Sequence, residues 1–242
     1  MIDVHRRNEP PSDCDCCREP GDRAMPTGPV SRRGLLWTAA AAALGTRRAA
    51  AQSTLAPDAA LQRLLDGNKR YVEQRLTSFN EDLAILRQKT VEQQQPFAAV
   101  LACADSRVPV EIAFDQTIGH VFVNRVAGNL ATSEIIASLE YGAAVLGTKA
   151  ILVLGHGSCG AVKAAIDAKE VPGQISQLYA PIRPAIDATR GVLDAAIREN
   201  AKIQAHLLAT ASPLLAGLIN GGKLKIAAGY YDLGSGAVSL LS

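Results

Sequence analysis

From residue 52 to its end the chain holds two cysteines and no tryptophan, because Cys14, Cys16, Cys17 and the single Trp37 all lie within the first 51 residues. Aromatic residues are 4% of the whole and are not interleaved with a basic stripe, so the stacking platform and cationic track of a nucleic-acid binder are missing. An apolar run long enough for a permanent membrane anchor is missing as well: the weakly hydrophobic segment from Leu35 to Gly45 is too short to span a bilayer. An excess of one charge sign is also absent. Eight of the 25 Lys and Arg and six of the 23 Asp and Glu fall in the first 51 residues, leaving 17 of each beyond and taking the formal charge from +2 to zero. What is there is 48% hydrophobic residues in 242, ample for one core with an appendage.

The appendage is the first 51 residues. Residues 1–30 are rich in Pro, Asp, Arg and Cys without an apolar period, so they cannot pack a core. Ser31-Arg32-Arg33-Gly34-Leu35-Leu36 follows, then the short apolar segment, the basic pair Arg47-Arg48 and Ala49-Ala50-Ala51. Paired arginines, a weakly hydrophobic stretch and an A-x-A site have the shape of a twin-arginine (Tat) export signal. The expectation is cleavage after Ala51, release of a domain spanning 52–242, and a location in the periplasm or outside the cell reached through the Tat machinery. Cys14, Cys16 and Cys17 lie in the part to be removed and are read as incidental rather than as a metal or redox site.

The rest is organised around Leu152 to Val162. Four apolar residues lead to Gly155, His156 and Cys159 follow three apart, and Gly160-Ala161-Val162-Lys163-Ala164-Ala165 reads as a helix start: strand, tight turn, helix. Imidazole and thiolate are both zinc ligands, and a helix N-terminus favours Cys159 as its anion. Two ligands do not hold a zinc, and outside the leader only one other cysteine, Cys103, can add a third. It ends the apolar run Pro96 to Cys103, another buried strand by its pattern. If the two strands are parallel neighbours, their carboxyl ends lie side by side, where ligands of such sheets converge. A bare cysteine pair in an exported protein also admits a disulfide. Metal loading in the cytoplasm before folded export is the competing reading.

In chain order, Pro57–Val72 presents Leu61, Leu64, Leu65 and Tyr71 on one helical face, and a second helix is expected from Asn80 to Gln94. Strands are expected at 96–103, at His120–Arg125 and at 150–154, with a helix at Ser133–Tyr141. Helix then covers most of 182–210 with a break near Thr189-Arg190-Gly191, and Leu214 to Ile219 form a shorter one. The hairpin of Lys225–Asp232 and Ala237–Leu241 adds one antiparallel edge strand. The fold class is α/β: a mostly parallel sheet of about four strands plus the antiparallel edge strand, flanked by helices.

Cys103-Ala-Asp105-Ser106-Arg107-Val-Pro, paired with His156-Gly-Ser-Cys159-Gly-Ala-Val, resembles the β-class carbonic anhydrases, and the similarity runs over nearly all of residues 57–242. Phe114-Asp-Gln116, Val121-Phe-Val-Asn-Arg125-Val-Ala-Gly128-Asn129 and Ser138-Leu-Glu140-Tyr141-Gly are similar to that family too. The resemblance implies one Zn2+ per chain held by Cys103, His156 and Cys159, with carbon dioxide and bicarbonate as substrate and product and zinc-hydroxide attack as the chemistry. It implies that Asp105 accepts a hydrogen bond from the hydroxide while Arg107 holds Asp105. In a subset of the family Asp105 would itself become a zinc ligand at lower pH and close the site. Gln116 and Gly157 are the substrate contacts it implies, Gln116 across a subunit boundary, in a homodimer or tetramer. Some members close through a bicarbonate pocket containing a tryptophan, which is not expected here because Trp37 lies in the leader. Two thiolates donate more electron density than the three histidines of the well-known carbonic anhydrase site, so activity should rise toward alkaline pH. A carbonyl sulfide or carbon disulfide hydrolase, or a non-catalytic zinc or bicarbonate binder, are the alternatives on the same residues.

Other residues read more plainly. His120 could pass a proton, but a strand-edge histidine is more often solvated or hydrogen-bonded. His206 reads as structural or surface, Arg125 as support for the sheet end or a subunit contact, and Tyr230 and Tyr231 as core and interface.

Overall fold

The computed structural model describes residues 53–78, 80 and 83–242. The leader, its arginine pair, the cleavage point after Ala51 and the domain start at 52 lie outside the described residues.

Two strands carry the centre of the fold. β1 (Ala98–Ala102) and β3 (Ala150–His156) are buried along their whole length, which is why their sequences are unbroken apolar runs rather than alternations. The sheet order is β2-β1-β3-β4-β5, with β2 at Val121–Arg125, β4 at Lys225–Tyr231 and β5 at Val238–Leu241. All neighbours are parallel except β4 and β5, the hairpin that the sequence suggests. Registers Ala102↔Arg125 and Ala102↔Leu154 place the residues after β1 beside the ends of β2 and β3.

Alternation then sorts the side chains. Val100, Ala102, Leu152 and Leu154 face α1 (Pro57–Val72) and α3 (Val110–Ala113), packing with Leu61, Leu64, Val110 and Phe114. Leu101, Ile151 and Val153 face the opposite layer, α4 (Ser133–Ala144), α7 (Leu193–Ala211) and α8 (Pro213–Asn220), meeting Leu139, Ala201, Leu208 and Leu215. A third apolar cluster lies past the carboxyl ends of the strands. There α5 (Gly160–Asp167) and α6 (Tyr179–Thr189) join α7, with Val162, Ile182 and Ile197 around Cys103 and Cys159. Each fully buried leucine contributes about 1.5–3 kcal/mol of transfer free energy, so these layers hold the sheet end rigid.

The largest difference from the sequence reading is at the second helix. The second helix, α2, runs Leu83–Thr90 and not Asn80–Gln94, residues 81 and 82 lying outside the described residues. Only Leu86 of α2 is buried, the Thr90 hydroxyl donates back to the Leu86 carbonyl, and Pro96 biases the preceding residue away from helix. The break near residue 190 is present: Arg190 and Gly191 both adopt left-handed backbone, ending α6 before α7 begins. Among the described residues no helix is long and apolar enough to cross a membrane.

Candidate metal centre

Three side chains meet at the carboxyl edge of the sheet. Cys103 follows β1, His156 ends β3, and Cys159 caps the N-terminus of α5, so the parallel pairing of β1 and β3 brings together residues 53 positions apart. Their donor atoms all lie within 4.8 Å of one another, and all three residues are buried. Both cysteines are free thiols, so the disulfide alternative is not what the structure contains.

The histidine is the clearest sign of what the cluster is for. Its Nδ1 lies 2.9 Å from the Gly157 carbonyl, which can only accept, so Nδ1 carries the hydrogen and Nε2 presents a lone pair. That Nε2 is fully buried and has no hydrogen-bond partner among the described residues. A buried acceptor with nothing to accept from costs about 1–3 kcal/mol unless something else satisfies it. The thiols tell the same story. A hydrogen bond from Cys159 holds the Cys103 thiol well below its usual range against the opposing effect of burial. The same bond, with burial and the charge on Cys103, pushes Cys159 up, although the Ala161 and Val162 N–H groups at the start of α5 pull it the other way. The two thiols thus oppose each other's ionisation, where a doubly charged cation would favour both thiolates. Two soft sulfurs and one imidazole nitrogen suit zinc, and the site passes that test of fit.

An ion pair overlooks the cluster. Arg107 grips Asp105 through both ends: Nε to Oδ1 at 2.9 Å and a terminal guanidinium nitrogen to Oδ2 at 2.7 Å, with the Arg107 backbone N–H also on Oδ1 at 2.9 Å. The Arg107 hydrogen bonds hold the Asp105 carboxyl far below the usual carboxylate range. Asp105 Oδ2 is 3.9 Å from His156 Nε2, so the carboxylate reaches the margin of the cluster while its pairing is with Arg107. Arg125, at the end of β2, donates to the carbonyls of Cys103 and Asp105 and fixes the turn carrying both. Its reading as support for the sheet end agrees with this.

Other residues fall elsewhere. The Gly157 N–H donates to the Tyr231 carbonyl at 3.0 Å and its C=O accepts from His156, so both backbone groups of this expected substrate contact are engaged inside the chain. What Gly157 contributes here is the orientation of His156. Gln116 is buried, with its amide nitrogen on the Phe114 carbonyl at 2.8 Å, and no contact within the chain joins it to the cluster among the described residues. His120 precedes β2 and so stands at the amino edge of the sheet, opposite the cluster, where a proton relay within one chain has no reach. His206 is exposed on α7, and Tyr230 and Tyr231 are buried.

The sequence reading missed a buried polar pair. Asn200 and Gln204 sit one turn apart on α7 among Ala196, Ile197, Ala201 and Leu208. Two amides on an otherwise apolar face were the available signal.

Known proteins resemble this chain over the same span. A sequence profile described as "Carbonic anhydrase" matches residues 98–238. "Carbonic anhydrase 2" of Mycobacterium tuberculosis is 35% identical over 194 residues, covering 76% of this chain and 92% of the relative. "Carbonic anhydrase" of Mycolicibacterium smegmatis is 42% identical over 135 residues, 54% of this chain and 65% of that one. Among solved structures, a Coccomyxa β-carbonic anhydrase in complex with acetazolamide superposes with a TM-score of 0.59 at 28% identity, covering 75% of this chain and 86% of that one. The fold alone is shared with the β-carbonic anhydrase CcaA, at a TM-score of 0.61 and 24% identity over 75% of this chain and 95% of that one. Profile, relatives and fold agree with the site geometry, and the chain belongs to the β class of the carbonic anhydrase family of lyases.

Proposed function

We propose that this chain catalyses the reversible hydration of carbon dioxide to bicarbonate and a proton, with one zinc ion per chain held by Cys103, His156 and Cys159. The observation that carries the reading is the buried, unpartnered His156 Nε2 beside two thiols and 3.9 Å from an ionised carboxylate. Three protein ligands would leave a fourth position open, the pattern of a catalytic and not a closed structural site, and zinc so bound would make its water more acidic, though less so than a three-histidine site does.

The chain's own residues do the rest. Asp105 is locked as an acceptor, since Arg107 keeps it ionised and occupies both oxygens from the far side. A reacting water can therefore donate to Asp105 in one orientation, which turns a lone pair toward carbon dioxide. Arg107 fixes that orientation, Arg125 fixes the turn, and the Gly157 carbonyl fixes the imidazole plane. Gln116 would contact substrate only across a subunit boundary. A homodimer or tetramer is proposed on that account, supported by the exposed apolar side chains Leu83, Ile85, Val91 and Tyr141. Export through the Tat machinery to the periplasm or beyond, on Arg32-Arg33 and the cleavage motif at Ala49 to Ala51, is part of the same proposal.

Stopped-flow hydration by residues 52–242, with bound metal quantified and pH varied from mildly acid to alkaline, tests the function. Fast hydration that rises with pH, at one zinc per chain, is expected. A sharp loss on the acid side would mean that Asp105 leaves Arg107 for the metal. Zinc without hydration would transfer the assignment to carbonyl sulfide or carbon disulfide, assayed next, and then to a binding role. An intact N-terminus on protein recovered from the periplasm or culture medium would sink cleavage after Ala51, and retention of the whole protein in the cytoplasm would sink the export proposal.

A further inference from the structure

We infer that Asn200, braced by Gln204, is a positioning residue for the metal centre: it fixes the Gly128 N–H on Cys103 Sγ and so sets how firmly that thiolate holds its metal. The inference rests on the proposed zinc site.

The loop after β2 supplies the contact. Gly128 and Asn129 both have left-handed backbone, with φ of 78° and 48°, and the Asn129 N–H closes the turn on the Val126 carbonyl at 2.9 Å. In that shape the two polar groups of Gly128 face different partners. Its N–H reaches Cys103 Sγ at 3.4 Å, and its C=O accepts from Asn200 Nδ2 at 2.9 Å. A side chain at 128 would meet Ile182 Cδ1 at 3.2 Å in addition to the backbone strain.

Asn200 is itself held. Gln204 donates to Asn200 Oδ1 at 3.2 Å, and Gln204 Oε1 accepts from the Ala131 N–H at 2.9 Å, so the two amides pin the loop at both ends. Both are at most 2% exposed, which makes them costly to retain unless fully bonded. Their helix is also registered against the other ligand strand. A Cβ on Gly155 would lie 3.2 Å from the Ile197 carbonyl and 3.4 Å from Ala201 Cβ, so α7 presses on β3 one residue before His156. One helix thus references the strand of His156 by direct packing and the sulfur of Cys103 through Asn200 and Gly128. An N–H directed at a thiolate sulfur favours the anion and trims the charge it donates to a metal, and groups that orient ligands in this way typically change affinity by about 10–100-fold.

The test uses the mature chain loaded with cobalt(II), read by its thiolate-to-cobalt absorption and by the rate of cobalt loss to a chelator. Asn200→Ala should weaken cobalt binding about tenfold or more and shift the absorption. Gln204→Met should move both readouts in the same direction by less, and it carries the comparison if Asn200→Ala does not fold. Leu208→Ala, a cavity on the same helix, should lower the melting temperature and leave both readouts alone. If Leu208→Ala loosens cobalt as much as Asn200→Ala, or if Gln204→Met changes neither readout, Asn200 is merely structural and the inference falls. The unaltered chain gives an independent check: with cadmium-113 bound, the Gly128 amide proton should show scalar coupling to cadmium through Cys103, and no coupling would overturn the proposal. Failure of the unaltered chain to take up cobalt or cadmium would instead remove the proposed metal site, and this inference with it.

Discussion

The two edges of the sheet differ in a way that volume alone would misjudge. At the amino edge lies a groove of about 920 Å³ bordered by Arg63, Lys89, Thr90, Phe97 and His120, with no thiol or carboxylate lining it. One of its cations, Arg63, is taken up by the Phe97 ring, 4.2 Å from its centroid. At the carboxyl edge the three candidate ligand residues are no more than 4% exposed, and their donor atoms lie within 4.8 Å of one another, an unsatisfied nitrogen among them. Parallel strands account for the contrast, because every connection at their carboxyl ends can deliver a side chain to the same place. Convergence of buried donors, and not roominess, marks the candidate site.

The contrast can be broken in steps of decreasing size. Cys159→Ser should abolish stable metal binding and bring hydration to the uncatalysed rate, measured by metal analysis and stopped flow; retained activity would move the site away from this edge. Asp105→Asn should keep the metal and slow hydration about 10–100-fold, because the amide no longer acts only as an acceptor. Asp115 tests the far side of the fold. Burial raises its carboxyl, but the Ser78 N–H, Arg70 and Thr77 outweigh that and hold it well below the ordinary range. Asp115→Ala should cost about 1–3 kcal/mol in denaturant unfolding while the rate per folded molecule stands.

Acid sharpens the same point. Asp105 and Asp115 both have folded values depressed below the unfolded one, so their stabilisation is complete above about pH 4 and is lost as pH falls through the folded values. Stability measured down to strong acid should decline in that window, less steeply in Asp115→Asn. Above it neither carboxylate titrates, so a change of rate near neutrality is not caused by protonation of either. Smallest of all is His120→Ala, which should leave hydration unchanged with or without added buffer. A buffer-dependent loss would give the amino edge a part in proton transfer.

How much of this could be read beforehand depends on how local the signal was. β1 and β3 were legible because each is an unbroken apolar run ending in chemistry-bearing residues, and their pairing followed from the rule that such strands neighbour in α/β sheets. The hairpin at the end was legible from its glycines. The end of α2 was not, since a helix burying only Leu86 is set by where its few contacts stop. The bidentate geometry at Asp105 depends on the turn held by Arg125, and both engaged groups of Gly157 depend on strand register; neither shows in spacing. Asn200 and Gln204 were hidden because a polar residue on a helix reads as surface until the loop it serves is in place.

The order of the chain along the site has a consequence for how the molecule comes together. His156 and Cys159 are close in sequence and can meet an ion in a chain that has hardly begun to fold, but Cys103 arrives only when β1 docks beside β3, with β2 and α4 looped out between them. That long-range closure is entropically unfavourable and slow. A captured ion would act as a fastener for it, drawn from a two-point grip in the loose chain to a three-point grip in the native one. Free metal concentration should then set the temperature at which the domain melts.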